Sequence, residues 1–83
     1  MTYDRRMTKP VEISPGITID AGVHHGKPVV KGTRVPVALV LGQLAAGVTH
    51  AELEAEFDID EEGIRSALRY ATDLVASQAA HLA

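Results

Sequence analysis

His24 and His25 are the first residues to weigh for chemistry, because imidazoles bind metals and carry protons near neutral pH. They are adjacent, so on a strand their side chains point to opposite faces and cannot share a metal. His50 and His81 lie far off in sequence. The expectation is surface histidines and no metal site. Gly26-Lys27-Pro28-Val29-Val30-Lys31-Gly32-Thr33 has the ingredients of a phosphate-binding loop in the wrong order. The lysine of such a loop stands between the second glycine and the hydroxyl residue. Pro28 also removes an amide donor. Glu61 and Glu62 are neighbours that diverge on a helix, so they complement a helix N-terminus and do not form an acid/base pair. No Ser/His/Asp arrangement is evident. The reading is therefore no catalytic residue, no cofactor and no enzyme.

The cations are more informative. Residues 1–34 carry six of them (Arg5, Arg6, Lys9, Lys27, Lys31 and Arg34) against three acids, whereas residues 35–83 carry Arg65 and Arg69 against eight acids. The overall charge of −3 hides this division and argues mildly against a general nucleic-acid binder. It fits two surfaces for different partners. Lys27, Lys31, Arg34, Arg65 and Arg69 are the candidate DNA contacts. No cysteine is present, which excludes disulfides and thiolate metal sites. No apolar run is long enough to span a bilayer, and no apolar run follows Arg5 and Arg6 as a secretory leader would require. A cytoplasmic protein without membrane contact is expected.

The elements that must position these residues fall into three stretches of one domain. Residues 1–10 read as a mobile polar tail, and the sequence leaves open whether Met1 or Met7 is the start. Residues 11–35 read as a β arm and turn. Val11 and Ile13 alternate with Glu12, Ile17 and Ile19 alternate with Thr18, and Ser14-Pro15-Gly16 divides the two runs. Val29-Val30 is a third run. Strands this brief need a partner, from this chain or another copy.

Residues 36–83 read as a helical bundle. Pro36 suits the first turn of a helix. Val37, Val40, Leu41, Leu44 and Ala45 form one apolar stripe, and Gly47 ends it. Leu39 lies off that stripe and needs a cover. Thr49 and Glu52 form a capping box, with Val48 and Leu53 as its hydrophobic staple. Asp60 caps a third helix, which carries Ile64, Ala67, Leu68, Ala71, Leu74, Val75 and Leu82 on one side. That helix reaches about residue 80, longer than a three-helix core of this size needs. Helices two and three, joined by about three residues, have the helix-turn-helix layout. Leu53, Phe57, Ile59, Ile64 and Ala67 should face helix one. Glu54 and Asp58 depart from the usual pattern, although Asp tolerates the left-handed turn. A DNA-reading third helix would place Asp60, Glu61 and Glu62 against phosphates that repel them, leaving Arg65 and Arg69 as outward cations. The fold class is thus mainly α: a short N-terminal β arm followed by a three-helix, homeodomain-like helix-turn-helix bundle.

Ile19-Asp20, the run from Gly26 to Val37, Leu44-Ala45-Ala46-Gly47 and the stretch from Ile64 to Ala71 together resemble domain-of-unknown-function family 433. These are small prokaryotic proteins predicted to be VapB-like antitoxins. The resemblance spans about Ile13 to Tyr70. It implies an antitoxin of a toxin-antitoxin system that neutralises a nuclease-like toxin of the PIN type, with operator DNA as a further partner. The alternatives are a DNA-binding transcriptional regulator without a toxin, or a structural dimeric interaction module. A homodimer is expected, because short strands and an overlong apolar helix leave surface that one chain struggles to bury. Gly32, Thr33 and Arg34 stand at the junction of arm and bundle, for partner binding or for structure. Gly32 is expected to be the least replaceable backbone position, Thr33 to bond backbone groups, and Arg34 to tie the arm to the acids of helices two and three.

Overall fold

A computed structural model describes residues 9–82, with side chains through residue 78. The expected tail, with Arg5 and Arg6, lies largely outside the described residues. Three strands and three helices follow in order. Strand β1 (Val11–Ser14) pairs antiparallel with β2 (Ile17–Ile19), and β2 pairs antiparallel with β3 (Val29–Val30). The register runs Val11↔Ile19 and Glu12↔Thr18, then shifts so that Ser14 faces Ile17. The arm is therefore a small three-stranded sheet, and its strands find their partners within the chain. That removes unpaired strands as a reason for a second copy.

After β3 the chain turns back on itself. Thr33 N–H donates to the Val30 carbonyl (3.0 Å), Val30 N–H to the Val35 carbonyl (3.0 Å), and Val29 bridges Pro36. Gly32 is the third residue of this turn, with φ 77°, while Lys31 keeps a negative φ, the requirement of a type II turn. Pro36 stands one residue outside helix α1 (Val37–Ala45), as its extended N-cap with ψ 142°, instead of inside the first turn. Gly47 at φ 94° ends α1 in a Schellman motif. Val48 N–H reaches the Gln43 carbonyl and Gly47 N–H the Leu44 carbonyl, both at 3.0 Å.

Helix α2 (His50–Phe57) begins with the expected capping box. Glu52 N–H donates to Thr49 Oγ1 (3.1 Å), and Thr49 N–H donates to Glu52 Oε1 (2.9 Å). It ends at Asp58, which adopts the left-handed conformation (φ 53°, ψ 45°) that glycine usually supplies. Helix α3 (Glu61–Leu82) is capped by Asp60, whose Oδ1 accepts from Gly63 N–H at 2.8 Å.

The core joins every layer: Ile17 and Val30 from the sheet, Val37 and Val40 from α1, Leu53 from α2, Ile59 from the link, and Ile64 and Ala67 from α3. Phe57 packs half-buried against it. Helix α3 sits close to the sheet because small residues line the contact. A Cβ on Gly63 would lie 2.9 Å from Val30 Cγ1, and one on Gly16 would lie 2.2 Å from Ser66 Oγ. Beyond Ala71 the helix outruns the core. Every side chain from residue 72 to 78 is exposed, including Leu74 and Val75, so the helix is longer than its core, as its apolar span suggested. Among the described residues no helix is long and apolar enough to cross a membrane.

Candidate functional site

The β1–β2 turn, the hairpin turn after β3 and the first turns of α3 enclose an open groove of about 650 Å³. Three of the five candidate DNA contacts line it: Lys31, Arg65 and Arg69. So do Glu12, Asp60, Glu61 and Glu62. The charges largely satisfy one another. Lys31 Nζ lies 2.8 Å from Glu12 Oε1, and Arg65 Nη2 lies 3.2 Å from Glu61 Oε1. Glu12 Oε2 also accepts from Gly16 N–H at 3.0 Å. The hydrogen bond from Lys31, helped by that amide and by the ammonium charge, holds the Glu12 carboxyl below its ordinary value. The same pairing raises the Lys31 ammonium above its own. Both groups are exposed, so the pair fixes the geometry of the β1–β2 turn more than it stabilises the fold. A groove with four carboxylates around three cations is a mixed-charge surface and a poor seat for phosphate.

Lys27 and Arg34 are not in the groove. Lys27 closes a short 3-10 turn at His24–Gly26. Nε2 of His24 donates to the Arg34 carbonyl at 2.8 Å, which fixes its tautomer through that proton. Arg34 forms no ion pair with the acids of α2 or α3 among the described residues, so the expected internal tie is absent. The groove's acids gather beside Lys31, whereas the Arg34 backbone faces the His24 loop. Thr33 does bond the backbone as anticipated. Its Oγ1 donates to the Val30 carbonyl (2.7 Å) and accepts from Val35 N–H (3.0 Å), closing the hairpin. Gly32 supplies a positive φ, but a Cβ there would meet nothing within 4 Å.

Sequence reasoning missed the Gly16–Ser66 contact and the conformation of the histidine pair. Gly63 in the first turn of a helix was an available sign of close packing. The left-handed histidines had no sign beyond the neighbouring Gly26. No group of three or more His, Cys, Asp or Glu side chains converges on a metal position among the described residues.

The fold defines a small, mainly helical domain with a three-stranded antiparallel sheet. The chain belongs to the family described as Protein of unknown function (DUF433), which matches residues 17–71. No curated protein and no solved structure matches it.

Proposed function

We propose that the protein is a non-catalytic regulatory binding protein of the antitoxin type, engaging a partner protein through the projecting half of α3. The observation that carries this reading is the exposure of Leu68 (38%), Leu74 (48%) and Val75 (65%) on a helix that continues past its core. About three turns of unsupported helix are marginal in water, and an apolar face gives them a reason to persist only when covered. The antitoxin role comes from the family resemblance, which implies a nuclease-like toxin of the PIN type as the cover. The link of residues 58–60 between α2 and α3, with Asp58 left-handed in place of glycine, supports a homeodomain-like helix-turn-helix. A homodimer in the cytoplasm belongs to the same reading. It rests on Leu39, which is 36% exposed on α1, away from the α3 face assigned to the toxin.

The test is purification of the tagged protein from its native cells with the neighbouring gene intact, followed by a growth assay. A small nuclease should co-purify in stoichiometric amount, and co-expression should relieve its toxicity. Leu74→Glu with Val75→Glu should abolish both effects while circular dichroism shows a folded protein. Relief of toxicity that survives this double change would sink the assignment of α3.

A further inference from the structure

Residues 24–27 contain the least ordinary backbone among the described residues. His24 and His25 both lie in the left-handed region, at φ 49° and 56°, and Gly26 follows at 82°. Side chains crowd the backbone there, so a non-glycine residue is uncommon and two in succession more so. The loop is nevertheless pinned from several directions. Gly22 N–H donates to Asp20 Oδ1 (2.8 Å) and Val23 N–H to the Asp20 carbonyl (2.8 Å). Gly26 N–H donates to the Val23 carbonyl (3.1 Å) and Lys27 N–H to the His24 carbonyl (3.2 Å). The His24 ring then ties the loop to Arg34. Strain that the surroundings over-determine is a feature of binding sites.

His24, His25 and Lys27 of this loop are exposed, and so is Arg34, whose backbone the His24 ring joins to the loop. Asp20, the acid of this loop, is half-buried and has Oδ1 occupied by Gly22. Neither Lys27 nor Arg34 has a carboxylate partner among the described residues, in contrast to Lys31 and Arg65. We propose that this edge, the loop together with Arg34, docks the phosphate backbone of duplex nucleic acid, with Lys27 and Arg34 neutralising phosphates and His25 donating to a phosphate oxygen. Spread, exposed cations suit a chain of repeating charges better than a single small anion. A duplex fits better than a single strand, whose bases need exposed aromatics for stacking. Phe57 and Tyr70, the aromatics among the described residues, are half-buried against the core. The acids at the start of α3 repel phosphates and leave this edge as the approach. The inference does not depend on the partner of α3.

Fluorescence anisotropy of a labelled duplex, titrated with the full chain over a range of salt, tests it. Lys27→Ala with Arg34→Ala should reduce the slope of log affinity against log salt by about 2, roughly 0.9 for each lost phosphate contact. The melting temperature should hold. Arg65→Ala with Arg69→Ala should leave the slope unchanged. His25→Gly should raise the melting temperature by relieving strain and still weaken binding. The proposal is overturned by absent wild-type binding at low salt, by an unchanged slope in the Lys27/Arg34 variant, or by a slope lost in the Arg65/Arg69 variant. Polyglutamate that competes as well as unlabelled duplex would also overturn it, by pointing to an acidic protein. His25→Gly that is stabilised and binds at the wild-type Kd would overturn the role of the turn.

Discussion

Gly16 and Gly32 have nearly the same backbone conformation, φ 79° and 77°, in entirely different surroundings, and replacing each by alanine separates two costs. At Gly32 the new Cβ meets nothing within 4 Å, so only the left-handed conformation is penalised, by about 1 kcal/mol. At Gly16 the same penalty is joined by a collision. The Cβ would lie 2.2 Å from Ser66 Oγ and 2.7 Å from Ser66 Cβ. The hydroxyl can swing away about its rotatable bond, but the Ser66 Cβ is carried by the α3 backbone and cannot. Relief requires α3 to move off the sheet, an overpacking cost of about 1–3 kcal/mol. The sum, about 2–4 kcal/mol, rivals the net stability of so small a domain. Thermal melts followed by circular dichroism should therefore show Gly32→Ala lowered by roughly 4–8 °C and Gly16→Ala by about two to four times that. Gly16, not Gly32, is the least replaceable of the two. Ser66→Gly supplies the decisive control. Alone it should cost about half a kcal/mol in helix propensity, with some lost packing. Combined with Gly16→Ala it should recover stability, giving a coupling of about 1–3 kcal/mol. Even if Gly16→Ala fails to fold, the double variant should fold. Additive effects, or equal losses at Gly16 and Gly32, would refute the claim that this contact seats α3 on the sheet.

Thr49→Ala removes the hydroxyl that accepts from Glu52 N–H and should cost about 1 kcal/mol by urea denaturation. Arg34→Ala should melt within a few degrees of wild type, because no ion pair is lost among the described residues. The pH dependence has two limbs. Glu12 and Glu52 have lowered values when folded, Glu12 chiefly through Lys31 and Glu52 chiefly through the Thr49 amide, so their contribution is present above the ordinary value of 4.5 and disappears as pH falls through the folded value. Lys31 has a raised value, so its contribution is present below 10.5 and disappears as pH rises through the folded value. Urea midpoints measured across pH should show both limbs, and Glu12→Gln should flatten the alkaline one and part of the acid one. An unchanged alkaline limb in that variant would show that the Lys31–Glu12 pair does not form in solution.

The features that the sequence determined by itself are those settled within a few residues. The Thr49–Glu52 box, the Asp60 cap, the Gly47 stop and the left-handed Asp58 each depend on a side chain or a conformational allowance acting on backbone three or four residues away. The apolar spacing likewise selected Leu53, Ile64 and Ala67 for the core, because one helix face repeats at a fixed interval. Tertiary structure decided the rest. Whether β1, β2 and β3 pair with one another or with a second copy depends on chain closure, which strand composition does not encode. The closeness of Gly16 to Ser66 follows from how α3 lies on the sheet, so neither residue is conspicuous in its own neighbourhood. The basic first part of the chain looked like one surface. Folding divides it, placing Lys31 in an acidic groove with Arg65 and Arg69, and Lys27 with Arg34 beside the histidine loop. Periodicity marked Leu74 and Val75 as apolar, but only the position where the core ends left them exposed, because a stripe is buried only as far as something lies beneath it.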